Sequence, residues 1–278
     1  MNQVTGAVRL FFVALYILLV VFFVLVVFPF CSATQRGRWI HRLAGWVPAI
    51  CGVRMTVKGR VPDEGARETG IHSGGTGYMV CANHVSFLDI FVLDAVLPSR
   101  FVAKKEIASW PVFGMITRGV GTLFIDRSRR RAVLEVAELM SSTMKKGENV
   151  LFFPEGTTGK GDRLLPFYAN LFTAGPMAEA EILPVALRYT LKGETTTVAS
   201  YAHESLFTVL RRIVSTPGLG VEVTVLDPIP SAGRERHELC ALASARMAEA
   251  LGVPDATAEK EAQRRARIEA ATASRTEA

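Results

Sequence analysis

The 278-residue chain is poor in the residues that announce metal or disulfide chemistry. Its four cysteines, Cys31, Cys51, Cys81 and Cys240, share no C-x-x-C spacing and sit among apolar neighbours. That favours reduced thiols over a disulfide frame or a zinc site, and so a reducing, cytosol-facing environment. Of the five histidines, His41, His72, His203 and His237 show no ligand spacing, and His72 lies in a polar loop that reads as solvated. A metal-dependent hydrolase using His84 and Asp89 as ligands therefore lacks its remaining ligands. No internal repeat is evident. The G-x-x-x-x-G-K-[ST] order of a P-loop is absent too, because Gly156 and Lys160 are wrongly spaced. Charge is missing altogether from Leu10 to Cys31, LFFVALYILLVVFFVLVVFPFC. That run is too long for the core of a signal peptide, has only Arg9 ahead of it, and offers no small-residue cleavage site.

What is present starts with an apolar excess. The chain is 49% hydrophobic, with mean hydropathy +0.26, net charge +6 and pI about 9.3. An anionic partner fits that balance, either nucleic acid or an anionic membrane surface. A helix over the uncharged run would reach roughly 33 Å, about the hydrocarbon thickness of a bilayer. Arg36, Arg38 and Arg42 follow it, then Arg54, Lys58 and Arg60, which places this flank in the cytoplasm by the positive-inside rule. Pro29 interrupts the run, and residues 39–53, WIHRLAGWVPAICGV, form a second apolar stretch with Trp39 and Trp46. Two readings follow for residues 1–53: a spanning helix, or a helical hairpin in one leaflet. Either anchors the protein to the inner (cytoplasmic) membrane, with the remainder on the cytoplasmic side.

Beyond Lys58 the chain changes character. Residues 61–77 are Gly-rich and polar. Strand-like runs then appear at 78–82, 101–103, 122–126, 150–153, 182–187, 195–201 and 221–226. Segments 86–97 and 129–147 have helical length and spacing, the second closed by Gly147 as a C-cap. This alternation predicts an α/β fold, a central sheet covered by helices. The domain expected spans 54–252, followed by a charged, Ala-rich tail, 253–278, that reads as flexible or a frayed helix.

Three stretches carry chemistry. In CANHVSFLDIF, His84 stands five residues before Asp89, among apolar neighbours. Ser86 and Asp89 fit the [ST]-x-x-[DE] start of a helix, so Asp89 can fold back to an imidazole just before the cap. Such a carboxylate would fix the tautomer and leave the other ring nitrogen free to take a proton. The plainer reading is a buried histidine beside a capping Asp, and the spacing alone leaves both open. In GTLFIDRSRR, Arg127 follows a strand end, where ligands of α/β sheets gather, and offers a planar fork suited to phosphate. Arg129, Arg130 and Arg131 read as a solvated basic patch. In VLFFPEGTTGKGDRLLPF, Glu155 can accept hydroxyls, while glycines admit an anion or polyol; a plain turn is the alternative.

Taken in order, NHVSFLD (83–89), LFIDR (123–127), FPEGT (153–157) and ILPVAL (182–187) resemble the blocks of the lysophosphatidic acid acyltransferase family of glycerolipid acyltransferases. FVAKKEI and WPVFG look similar to the family as well, and the resemblance covers roughly residues 50 to 230. It implies a catalytic pair, His84 with Asp89, and a glycerol-phosphate site at Arg127, Glu155, Gly156 and Thr157. Pro184 matches the fourth block, which the family assigns to the acyl side or to structure. Many members read E-G-T-R in the third block, and here Thr158 replaces that arginine. The missing charge would have to come from Lys105 or Arg163.

The implied function is a membrane-bound O-acyltransferase. His84 would deprotonate a lyso-lipid hydroxyl as it attacks an acyl thioester, with Asp89 orienting the ring. The donor would be acyl-CoA or acyl carrier protein, with no metal, no cofactor and no nucleic acid involved. The acceptor implied first is 1-acyl-glycerol-3-phosphate, giving phosphatidic acid. Another lyso-lipid, such as lyso-ornithine lipid, is the alternative, and a non-catalytic lipid-binding protein is the second.

Overall fold

The computed structural model describes residues 3–263 apart from 62, 74, 127–129 and 203. The uncharged run forms α1 (Gln3–Phe22), which loosens into a π turn over Phe23–Val27 and tightens over Phe28–Phe30, where Pro29 ends it. The whole rod, Gln3–Phe30, is the one helix among the described residues that is long and apolar enough to cross a membrane. A capping box at Ser32 and Gln35 then starts α2 (Ala33–Cys51), which Gly52 closes at φ 71°. The chain continues through β1 (Arg54–Lys58), α3 (Glu64–Thr69), β2 (Met79–Ala82), α4 (Asp89–Val96), β3 (Arg100–Lys104) and α5 (Phe113–Gly119). It goes on to β4 (Leu123–Ile125), α6 (Arg130–Met144), β5 (Val150–Phe152), α7 (Ala174–Ala178), β6 (Ile182–Leu191) and β7 (Glu194–Thr195). The last named elements are α8 (Leu206–Val214), β8 (Leu219–Val225) and α9 (Arg236–Leu251).

The sheet order is β1-β8-β6-β2-β5-β3-β4, with β7 paired to the end of β6. Every pairing along it is parallel except β6 with β8, so the sheet is mixed. β2 is buried on both faces, as a central parallel strand must be. Its alternate residues split between two cores: Val80 and Ala82 face α2, α4 and α8, while Met79 and Cys81 face α6, α7 and α9. The four cysteines are free thiols. The carboxyl ends of β2, β5, β3 and β4 open on one edge, and the residues that follow each strand carry the sequence motifs.

α1 and α2 are not a separate body. α1 lies lengthwise against the rest, from Gly6, where a Cβ would come within 2.3 Å of Ser215 Oγ, to Val24, which seats on Gly119. Between these points Tyr16 donates to Leu43 O and stacks edge-on to Phe91 of α4. Arg9, the single charge in the helix, donates to Val214 O at the end of α8 at 2.8 Å. Its guanidinium lies over Gly52, where any side chain would clash. The opposite face of α1, with Phe11, Leu15, Leu18 and Phe22, is bare.

Three sequence expectations are corrected, and one strand is added. The expected strand at 195–201 shrinks to β7, because the edge of β6 along which it would continue is already taken by β2 and by the Asn83 side chain on Leu187; residues 196–201 instead fold back under the site loops. β1 and its register with β8 were not expected. His72 is not solvated: its side chain is 8% exposed, with Nδ1 2.7 Å from Asp63 Oδ2 and Nε2 2.9 Å from Asn149 Oδ1. The tail is docked where it starts, since Thr257 is buried and its hydroxyl accepts from Phe167 N and from Ser244 Oγ. Residues 264–278 of that tail lie outside the described residues.

Candidate active site

Asp89 opens α4 with its side chain fully buried. A buried carboxylate is costly unless donors surround it, and here four converge. Oδ2 accepts the N–H of Val85 at 2.7 Å and of Ser86 at 2.8 Å, and meets His84 Nδ1 at 2.9 Å. Oδ1 accepts the hydroxyl of Tyr189, from β6, at 2.6 Å. The expected capping box is half formed: the carboxylate reaches back to Ser86 N, but Ser86 Oγ accepts from Leu88 N. Burial, then the neighbouring Asp89 charge, pushes the Tyr189 phenol well above its usual range, so it stays a donor.

This carboxylate fixes Nδ1 as the protonated nitrogen of the neutral ring and leaves Nε2 as the acceptor. Nε2 has no partner among the described residues, and the side chain is 18% exposed. Phe153 stacks on the ring at 3.8 Å between centroids, 11° from parallel, so the imidazole cannot swing. The backbone of His84 is held from both sides. Its N–H donates to Glu155 Oε2 at 2.7 Å, and its carbonyl accepts Gly159 N at 2.7 Å. One residue earlier, the Asn83 side chain exchanges two bonds with Leu187, extending the β2–β6 pairing to the turn.

Glu155 differs from its expected part as a hydroxyl acceptor. It is buried, and its other oxygen accepts Leu165 N at 2.8 Å, so both oxygens hold backbone donors. Burial pushes its carboxyl up to about 7, against the pull of those two N–H groups. Its work in this structure is to tie the β5 loop to the turn that carries His84. Gly156, at φ 69°, makes the turn beside it, and Thr157 is exposed. Thr158 donates to Tyr201 O at 3.0 Å, so the 196–201 segment supports this loop. Lys105 lies 3.5 Å from Asp126 across the ends of β3 and β4. Arg127, which follows Asp126 in sequence, lies outside the described residues. Arg163 is exposed. Pro184 sits within β6 in register with Cys81, part of the sheet rather than of the open edge. Tyr189 escaped the sequence reading; it lies 100 positions from Asp89 and reads as an ordinary strand residue.

Two outcomes follow. Glu155→Gln leaves one oxygen for two N–H donors, so unfolding should become easier by about 1–3 kcal/mol. With the folded carboxyl raised from 4.5 to about 7, its contribution to stability is full below the lower value and lost as pH rises through the upper. Denaturant titrations should therefore show wild type losing stability relative to the variant between about pH 5 and 8, and parallel pH slopes would refute this. Tyr189→Phe removes one donor from Asp89 and should cost about 1.5–3 kcal/mol of stability. It should lower kcat with little change in KM, because the hydroxyl is sealed from any substrate; a pure KM effect would contradict that placement.

A family model described as Acyltransferase matches residues 54–188. The 1-acyl-sn-glycerol-3-phosphate acyltransferase of Neisseria gonorrhoeae is 48% identical over 148 residues, 53% of this chain and 58% of the relative. The chain thus matches under two thirds of that relative's length. The lyso-ornithine lipid O-acyltransferase of Pseudomonas aeruginosa is 32% identical over 195 residues, covering 70% of this chain and 72% of the relative. The crystal structure of the 1-acyl-sn-glycerophosphate acyltransferase PlsC from Thermotoga maritima superposes with a TM-score of 0.64, over 90% of this chain and 95% of that one. At 20% identity that likeness concerns the fold. Sequence blocks, sheet and relatives agree: the chain belongs to the lysophosphatidic acid acyltransferase family.

Proposed function

We propose that this protein is a membrane-associated O-acyltransferase, carrying an acyl group from acyl-CoA or acyl carrier protein to the free hydroxyl of a lyso-lipid. The acceptor proposed is 1-acyl-glycerol-3-phosphate and the product phosphatidic acid. The observation that carries the reading is the His84 ring, bonded to Asp89 through Nδ1 and unpartnered at Nε2, at the open edge of the sheet. Nε2 takes the hydroxyl proton as that oxygen attacks the thioester carbonyl. The tetrahedral intermediate collapses, the C–S bond breaks, and the departing thiolate takes the proton back from the imidazolium. Asp89 stabilises the cation in between. The substrate itself is the nucleophile, so no acyl-enzyme forms and the step uses neither metal nor cofactor.

The contacts of α1 favour the single-leaflet reading of the anchor. Gly6 and Val24, both seated on the domain, are 18 residues apart, roughly 27 Å of helix. A rod held along that length cannot cross a bilayer without drawing the domain into hydrocarbon. Lying in the interface with its bare face down, it brings the His84 edge to the lipid. The arginines after it keep the domain on the cytoplasmic side.

A second acceptor, lyso-ornithine lipid, is favoured by one observation: Thr158 stands where an arginine would read phosphate, and several relatives bear that acceptor's name. Purified protein incubated with both acceptors and both donors, with products identified by mass, tests the assignment. His84→Ala should reduce turnover by about 10²- to 10⁴-fold while folding and membrane binding survive. Near-normal turnover in that folded variant would remove His84 from the mechanism. Thr158→Arg should leave unchanged or lower the KM for 1-acyl-glycerol-3-phosphate and raise it for lyso-ornithine lipid. A higher KM for the phosphate acceptor would assign the pocket to another head group.

A further inference from the structure

Residues 109–113, Ser-Trp-Pro-Val-Phe, are all exposed, four of them apolar in sequence. Trp110 is 45% exposed, Val112 44% and Phe113 38%. A soluble surface rarely leaves such a run bare without a use for it. This one is also built stiffly. Val112 adopts φ 61°, ψ −57°, the strained γ-turn, closed by Phe113 N donating to Pro111 O at 2.6 Å. A β-branched residue avoids that conformation unless its surroundings impose it.

The surroundings are tight. Gly114 donates to Trp110 O at 2.8 Å and lies so close to Ala108 O that a Cβ would fall 2.2 Å from it. Arg118 reaches back to donate to the same Ala108 carbonyl. Trp110 and Phe113 meet edge to face with centroids 6.5 Å apart. The clamp thus turns Val112 and Phe113 outward instead of letting them fold onto the core.

Two further observations name the occupant. The tip continues from the α1 surface: α5 starts at Phe113 and ends at Gly119, which packs on Val24 at the far end of the bare apolar rod. One α5 length, roughly 9 Å, separates tip from rod. The base of the loop is cationic, with Lys104, Lys105 and Arg118 exposed against two carboxylates, Glu106 and the Asp126 that lies 3.5 Å from Lys105. An apolar tip led by tryptophan on a basic collar is the chemistry of an anionic bilayer interface.

We propose that the 109–113 tip is a second membrane-contact element, inserted in the leaflet that carries α1 and set beside the carboxyl edge of β3. It rests on the reading that α1 lies in a leaflet, and its test separates the two. The full chain is bound to vesicles of phosphatidylcholine and phosphatidylglycerol with bromine on the acyl chains near the interface. Of the three tryptophans, Trp110 is isolated as the difference between wild type and Trp110→Phe, a change that keeps a ring at the site. Phe11→Trp in the Trp110→Phe background reports on α1, at a position already exposed. Bromine should quench the Trp110 component about twofold, and bound vesicles should shield it from aqueous acrylamide. A Trp110 component open to acrylamide and untouched by bromine, with the Phe11→Trp signal quenched, overturns the loop and leaves α1 in the membrane. If neither signal is quenched, both readings fall. Quenching of Trp110 alone keeps the loop as a membrane contact and overturns the α1 reading, and with it the shared leaflet.

Discussion

A carboxylate with no access to water must find its donors inside the protein, and the burial of Asp89 sets the arrangement around it. Two of its four donors are backbone groups of the turn between β2 and α4, one is the histidine it orients, and one is a phenol from β6. The turn can make its bonds only if α4 begins where it does. Tyr189 can reach only if β6 keeps its register with β2, which Asn83 prolongs by bonding Leu187 on both sides. Ring orientation is therefore a property of the sheet, and the loop residues on their own would not maintain it.

The same logic explains what the sequence disclosed. His84 and Asp89 were legible because their relation is local, five positions across one turn, and so has a local signature. Glu155 was legible as a residue type in the right block, but its task was not. A buried carboxylate receiving His84 N and Leu165 N resembles, in sequence, an exposed one awaiting a hydroxyl. Tyr189 left no trace, because nothing near position 189 distinguishes a packed tyrosine from one bonded to a charge 100 residues away. The fold class followed from the alternation of short apolar runs with helical segments. The Thr-rich run at 195–201 misled, since β-branched residues say that a strand fits but not that a partner edge is free. The buried state of His72 depends on Asp63 and Asn149, which no pattern near it foretold.

Chemistry and selectivity are held by different means along the open edge. The backbone of His84 is held from both sides, and the Asp89 and Glu155 that support it are buried. The positions expected to meet a head group are looser: Thr157 exposed, and Lys105 paired only at 3.5 Å to Asp126. An ion pair of that exposure contributes little to stability and can be exchanged for a ligand contact at small cost. Loop residues such as Thr158 can therefore change without disturbing the histidine, its aspartate and the sheet beneath them.

The lengthwise seat of α1 also has a consequence for how the protein is made. Arg9 and the carbonyl that receives it, Val214 O, are separated by 205 positions. At a synthesis rate of about 5–20 residues per second, α1 emerges roughly 10–40 s before its docking surface exists. During that interval the most hydrophobic segment of the chain has no protein to cover it. A nearby bilayer would serve as its holding place, shielding it from aggregation until α8 is synthesised and the rod can be clasped by the rest of the domain. Biogenesis and final residence would then use the same lipid surface, and a ribosome far from membrane would release a chain whose first helix competes for any greasy partner it meets.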